Sequence, residues 1–150
     1  MPLLNYTTSV SVDRTLEEIG RILRTHGARQ IVIDYQGDGN PVAMAFLVET
    51  AFGLRGFRLP ANAEAIYGTL NRQKVPLRLK NREQAVRVAW RIVKDWLQAQ
   101  MAIVESQMVT LDQVFLPYLT EGPNAPTLYE VLVKNQLALP APREANHDRP

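Results

Sequence analysis

The chain has 150 residues, of which 46% are hydrophobic and 21% are charged, and it contains no cysteine. This length suits one domain with its own core, and the composition is globular rather than disordered. The absence of cysteine excludes disulfides and thiolate metal sites. No apolar run approaches the roughly 18–20 residues of a membrane span, and the start lacks the features of a signal peptide. We therefore expect a cytosolic protein without membrane contact.

The positive charge is concentrated in one part of the chain. The formal net charge is +2 overall, but residues 55–94 hold ten basic and two acidic residues, a net charge of +8, which leaves −6 for the rest. Segregation of this kind creates a directional electrostatic field at a protein surface. It favours an anionic partner, either nucleic acid or an acidic protein surface.

The first half of the chain predicts strands around one helix. Residues 5–12 are rich in β-branched side chains and predict a strand. Asp13 is the expected N-cap of a helix that ends at His26 and Gly27. Three strands then follow over residues 29–35, 42–49 and 54–59, joined by turns at 36–41 and at Gly53. A short helix is predicted from Ala61 to Leu70.

The second half predicts a connector and then helices. Residues 71–80 form a basic connector that Pro76 keeps from being helical. Asn81 caps a long helix to about residue 108, Thr110 and Gln113 form a capping box, and Thr127 caps a last helix to about residue 136. The remaining residues, 139–150, predict a disordered tail.

Together these elements predict a single α+β domain over residues 1–138. The order is β-α-β-β-β-α, followed by the long helix and one or two short C-terminal helices. We expect a mainly antiparallel sheet with its helices on one face. The long helix has an apolar stripe that either packs within the chain or pairs with a second copy in a homo-oligomer.

The basic residues are the leading candidates for a binding site. On the long helix, basic side chains at i, i+4 and i+7 line one face, and three more lie just upstream, so the set can follow a phosphate backbone. The alternative is a solvated helix face balanced by Glu83–Arg87 and Arg91–Asp95 pairs. The candidate phosphate contacts are Arg78, Lys80, Arg82, Arg87, Arg91 and Lys94.

Aromatic side chains that stack on bases would strengthen a nucleic-acid function. The candidates are Tyr35, Phe57, Tyr67 and Trp90. Phe57 alternates with basic neighbours on a predicted strand, which favours a place in the core. Trp90 lies nearer the basic helix face and is the better candidate for a surface position. Packing of Trp90 against another helix is nevertheless favoured over stacking on a base.

Catalysis has little support in the sequence. No P-loop, nucleophile elbow or HExxH motif is present, and we predict no cofactor and no metal. His26 lies at a predicted helix C-terminus, where a structural role is favoured. A metal-dependent nuclease is a third hypothesis, with Asp34 and Glu49 as a carboxylate pair helped by Glu17 or Glu18. The lysine expected two residues after the second acid is absent, because that position is Ala51.

Four segments resemble a family of small bacterial proteins that are often found with phages and mobile elements. They are residues 82–96, 57–61, 114–118 and 127–130. The resemblance covers most of residues 5–135 and implies no particular activity. It favours phage or mobile-element biology, in which small basic proteins commonly handle nucleic acid or bind host proteins.

Two functions from different classes follow. The leading hypothesis is a non-enzymatic protein that binds nucleic acid through the basic connector and helix face. The rival is an interaction module that binds, and in some cases inhibits, a host protein. Its contact surface would be the apolar patch Phe115, Leu116 and Tyr118, or the last helix around Leu128, Tyr129 and Leu132.

Overall fold

A computed structural model describes residues 1–136 and 139–143. Over these residues, five α-helices and a four-stranded antiparallel sheet form the α+β fold that the sequence predicts. In chain order the elements are α1 (Val12–Thr25), β1 (Ala28–Tyr35), β2 (Pro41–Thr50), β3 (Gly53–Pro60), α2 (Ala63–Arg72), a 3-10 turn (Leu77–Leu79), α3 (Arg82–Glu105), α4 (Leu111–Phe115), a second 3-10 turn (Leu116–Tyr118), β4 (Leu119–Thr120) and α5 (Leu128–Lys134).

The sheet consists of two successive hairpins with a short strand added at one edge. Its order is β1-β2-β3-β4. The turn before β2 contains Gly39, and Gly53 is the first residue of β3; both have positive φ, a conformation that glycine adopts without strain. The predicted hairpin of β1 and β2 is confirmed, as is the predicted strand that follows it, which pairs antiparallel with β2. The register places Met44 opposite Ile33 on one side and Leu59 on the other, so these three side chains share a face.

The strand predicted over residues 5–12 is wrong. The N-terminal segment (residues 1–11) has no strand, and Asn5 has a φ of 63° that interrupts an extended backbone. The Gln84 side-chain amide donates to the carbonyls of Tyr6 and Thr8 at 2.9 and 3.0 Å. A glutamine side chain thus satisfies backbone groups that a sheet would otherwise pair, and β-branched residues alone do not supply a neighbouring strand.

Helices α1 and α3 cover one face of the sheet and enclose the core, as predicted. Trp90 is fully buried at the centre, and its indole N–H donates to the Pro41 carbonyl at 3.1 Å. Phe57 is 1% exposed, which confirms its predicted place in the core. The apolar stripe of α3 packs within the chain. The core comprises Leu16, Ile19, Leu23, Met44, Phe46, Val48, Phe57, Leu59, Ala61, Val86, Ala89, Trp90, Leu97, Met101 and Phe115.

The helix caps follow the sequence closely in the second half of the chain. The Asn81 side chain accepts from the Gln84 amide at 2.8 Å, and Thr110 and Thr127 cap α4 and α5 as predicted. The first helix differs, because Ser11 rather than Asp13 is its N-cap and accepts from the amide at the third helical position. Serine and aspartate side chains can both satisfy the free amides of a first turn, and the helix begins directly after Ser11.

The predicted tail, residues 139–150, lies partly outside the described residues, as do residues 137–138 of the predicted domain. Residues 139–143 form no helix or strand and are exposed. Within the described part of the chain, no helix is both long and apolar enough to span a membrane.

Candidate functional site

The basic connector, predicted over residues 71–80, is taken in the structure to run from Arg72, the last residue of α2, to Arg82, the first residue of α3. Its apolar residues alternate between inside and outside. Val75 and Leu79 are buried, whereas Leu77 between them is 84% exposed. Val75 packs with Leu70 and Ala85 in a small second cluster. The connector is therefore fixed to the domain by Val75 and Leu79, while Arg72, Lys74, Leu77 and Arg78 are exposed.

Five basic side chains emerge from this connector. Arg72, Lys74 and Arg78 are exposed, and Lys80 is partly exposed, with its ammonium 3.5 Å from the Asn71 carbonyl. Among the described residues, none of these four has a carboxylate within 4.0 Å. Their charges are thus available to an anionic partner.

Arg82, the fifth, is already paired at the surface. Its Nε donates to the Glu64 carboxylate at 3.0 Å, and its guanidinium lies 4.6 Å from the centre of the Tyr67 ring. The hydrogen bond to Glu64 raises the pKa of Arg82 above its ordinary value. Both charged side chains are about two-thirds exposed (68% and 70%). An exposed pair of this kind is weak, so a phosphate can compete with Glu64 for Arg82.

The basic row on α3, formed by Arg87, Arg91 and Lys94, differs from the connector because it faces α1. Arg91 pairs with Glu18 of α1 and its guanidinium lies 3.4 Å from the Thr15 hydroxyl. The Arg91 side chain is only 16% exposed, and that of Glu18 is 26% exposed. The hydrogen bond from Arg91, together with the charges of Arg91, Lys94 and Arg14, lowers the pKa of Glu18. This pair ties α1 to α3.

The two other members of the row are also drawn inward. Lys94 is 17% exposed and lies 3.7 Å from the Asp95 carboxylate. Arg87 is half-buried and donates to the Gln84 side-chain oxygen at 3.0 Å. The predicted i, i+4 pairs Glu83–Arg87 and Arg91–Asp95 are not formed, since nearer partners take both arginines. The structure therefore groups Arg78, Lys80 and Arg82 on the connector and separates them from the row on α3.

The aromatic candidates do not form a stacking platform beside the connector. Phe57 and Trp90 are buried in the core. Tyr35 is 59% exposed but lies at the end of β1, and Tyr67 is covered on one face by the Arg82 guanidinium. The exposed apolar side chain on the connector is Leu77.

The acidic residues of the nuclease hypothesis lie apart. Asp34 sits 3.6 Å from Arg58, and Glu49 sits 3.9 Å from Arg29. Asp34 is opposite Ala43, six residues before Glu49 on β2, which separates the two acids by about 20 Å. In the described ranges, no three His, Cys, Asp or Glu side chains are grouped so that they could hold a metal ion.

His26 occupies the helix C-terminus that the sequence predicts for it. One ring nitrogen lies 2.8 Å from the Ile22 carbonyl and the other lies 2.7 Å from the Glu105 carboxylate. These contacts link the ends of α1 and α3, which is a structural role.

The apolar patch proposed for partner binding is divided by the fold. Phe115 is fully buried, with its ring 5.6 Å from those of Phe46 and Trp96, so it lies in the core and not on a contact surface. Tyr118 packs partly against Trp96, and Leu116 is 49% exposed. The reason is that the short helix α4 turns its last residue onto the sheet.

An apolar groove lies on the sheet face opposite α1 and α3. It was not predicted from the sequence. Its volume is about 720 Å³. Cross-strand neighbours form the floor: Gln30 beside Leu47, Val32 beside Ala45, and Leu47 beside Gly56. The signal for it was present in β2, where both alternating sets of residues are apolar, a pattern typical of a strand covered on both faces.

The other wall of the groove is the chain from β4 to α5. The Thr120 hydroxyl donates to the carbonyls of Gly122 and Ala125 and so organises the intervening turn. Helix α5 contributes Leu128 and Val131 to the lining. None of the side chains of α5 is buried, and its outer residues are exposed, so apolar surface continues from the groove onto the helix.

No protein-family model matches the chain, and no curated protein or solved structure is significantly similar to it. The resemblance to phage-associated proteins stays a prediction. Function is therefore inferred from the residues and geometry of this chain alone.

Proposed function

We propose that the protein binds nucleic acid, without catalysis, through the basic connector. The observation that carries the proposal is the set of four cations, Arg72, Lys74, Arg78 and Lys80, that have no carboxylate partner among the described residues. Arg82 adds a fifth positive charge whose partner is exposed and weakly held.

The chemistry of the connector suits phosphates better than bases. Lysine and arginine side chains neutralise a phosphate backbone and release its counterions, which makes affinity depend steeply on salt. The amide side chains of the connector are engaged within the chain, since Gln73 accepts from the Leu3 amide at 2.8 Å and Asn81 donates to the Arg78 carbonyl at 2.9 Å. Binding through the connector should therefore be strong at low salt and largely independent of sequence.

The residues proposed to contact phosphates differ in part from those predicted from the sequence. Arg78, Lys80 and Arg82 remain in the proposed interface, and Arg72 and Lys74 join them. Arg91 and Lys94 are less than a fifth exposed, with Glu18 and Asp95 as neighbours, and they contribute mainly long-range field. Five contacts would give a slope of log affinity against log salt of about −4 to −5.

The test is a salt titration of binding to a labelled polynucleotide, followed by fluorescence anisotropy. A double variant, Lys74→Glu with Arg78→Glu, should lose most of the affinity and reduce the salt slope by about 2. A matched control, Arg24→Glu with Lys134→Glu, changes the net charge equally on exposed positions outside the connector. Equal effects of the two double variants, or no binding at low salt, would refute the proposal.

A second candidate function is an interaction module, and the apolar groove favours it. The charged residues in its lining are Arg55 and Glu121, which have opposite signs. We infer that an uncharged apolar segment of another protein would occupy the groove, with the exposed side chains of α5 beside it. A groove of about 720 Å³ is large enough to receive several side chains.

Site-specific photocrosslinking tests this candidate. A photoreactive residue at Leu54, on the rim and 42% exposed, should give a discrete adduct whose cross-linked peptide is apolar and uncharged. Adding Val32→Glu places a charge on the floor and should abolish the adduct. The same probe at Arg24 is the control, and equal adducts at both positions would exclude the groove as the contact.

A further inference from the structure

Leu77 is the feature of the connector that phosphate binding leaves unexplained. It is 84% exposed, it follows Pro76, and it lies between two residues that are buried. Single exposed leucines are common on protein surfaces. Leu77 differs because Lys74 and Arg78, both exposed and without a carboxylate partner in the described residues, lie within three positions of it.

The position of Leu77 is set by hydrogen bonds rather than by a loose loop. The Leu79 amide donates to the Pro76 carbonyl at 2.9 Å, and the Lys80 amide donates to the Leu77 carbonyl at 3.0 Å. The Asn81 side chain donates to the Arg78 carbonyl at 2.9 Å. These bonds close a 3-10 turn between the buried anchors, so Leu77 is held outward before any partner binds.

We propose that Leu77 is an apolar wedge that enters the minor groove of duplex DNA and partly separates two stacked base pairs. This inference rests on the proposed function and names its substrate class. Lys74 and Arg78 would hold the phosphates on either side of the insertion. Leucine and proline side chains inserted in this way kink the duplex and bring more of its backbone against the protein.

Duplex DNA fits this surface better than other polynucleotides do. Proteins that bind single strands stack bases on exposed aromatic rings, whereas Tyr6 and Tyr67, which pack against the cluster that holds Val75, are partly buried, and Arg82 covers one face of Tyr67. The minor groove of duplex RNA is wide and shallow and displays 2′-hydroxyls, so it is recognised through polar contacts. A projecting leucine supplies none of these polar contacts.

The experiment compares binding and bending by wild type, Leu77→Ala and Leu116→Ala. A 20-base-pair DNA carries a donor and an acceptor dye at its ends, so that a kink raises energy transfer. The expected result is bending by wild type and by Leu116→Ala, a control with an exposed leucine outside the connector. Leu77→Ala should abolish the bend and weaken binding about tenfold, while most of the salt slope is kept because Lys74 and Arg78 still contact phosphates.

The outcomes separate this inference from the proposed function. Binding without any bend, or a bend that survives Leu77→Ala, overturns the wedge and leaves the proposed function standing. No binding to any polynucleotide overturns both. Binding to vesicles of anionic phosphatidylglycerol that depends on Leu77, with no binding to duplex DNA, also overturns the wedge and assigns Leu77 to a lipid surface instead.

Discussion

Arg91 and Glu18 form the contact whose removal best tests the division of the basic residues into structural and binding groups. Both side chains are mostly buried between α1 and α3, and the Thr15 hydroxyl lies beside them. We consider Arg91→Met, which keeps an apolar stem of similar length, and Glu18→Gln, which keeps the shape and removes the charge. If the pair is structural, both substitutions should lower stability.

The magnitude follows from the burial of the pair. A hydrogen bond to a charged group contributes about 1.5–3 kcal/mol to stability. When one partner is removed, the other is left as a mostly buried charge without an opposite charge beside it. We therefore expect each single variant to lower the free energy of unfolding by about 2 kcal/mol. The coupling energy from the double variant should be about 1–2 kcal/mol. In a chain of this size, each single loss corresponds to roughly 4–8 °C in Tm.

The effect has a defined pH dependence. Because Arg91 lowers the pKa of Glu18 in the folded state, the carboxylate stabilises the fold above its unfolded pKa of about 4.3. That stabilisation is lost as the pH falls through the still lower folded pKa. The difference between wild type and Glu18→Gln should therefore be full at pH 7 and should shrink as the pH falls below the unfolded pKa and through the lower folded pKa.

Urea denaturation at pH 7 and at acidic pH measures these quantities, with DNA affinity measured in parallel. Arg91→Met should leave the salt slope of DNA binding unchanged, unlike the connector variants. The reasoning fails if the coupling energy is near zero. It also fails if Arg91→Met weakens DNA binding while the free energy of unfolding stays at the wild-type value.

Three further substitutions test the fold. Trp90→Phe removes the indole hydrogen bond to a buried carbonyl and should lower the free energy of unfolding by about 1–3 kcal/mol in urea denaturation. Trp96→Phe should lower it less, because the Trp96 indole makes no such bond among the described residues. Gln84→Met frees the carbonyls of the N-terminal segment, so amide exchange there should accelerate while exchange in the sheet is unchanged. Phe115→Ala should cost about 3–5 kcal/mol by thermal unfolding, against under 1 kcal/mol for Leu116→Ala. Equal losses for that last pair would contradict the burial of the phenyl ring.

The sequence predicted turns and helix starts correctly where they depend on neighbouring residues alone. The glycine turns predicted the first hairpin and the strand that follows it, and Asn81, Thr110 and Thr127 predicted three helix starts, because a cap or a tight turn depends on residues only a few positions apart. The alternation of apolar residues placed Phe57 in the core. The strand predicted over residues 5–12 failed because a strand also needs a neighbour, and a glutamine from α3 takes that place.

The charge concentration in residues 55–94 could be read from the sequence, as could its division between a connector and a helix. Which of those charges remain free depended on the tertiary structure. Arg91 meets Glu18, 73 residues away, because α1 crosses that face of α3. An ion pair between two helices depends on how the helices pack, so it cannot be predicted from the spacing of residues within one helix. The same holds for the outward position of Leu77 and for the groove, whose walls come from strands and a helix distant in sequence.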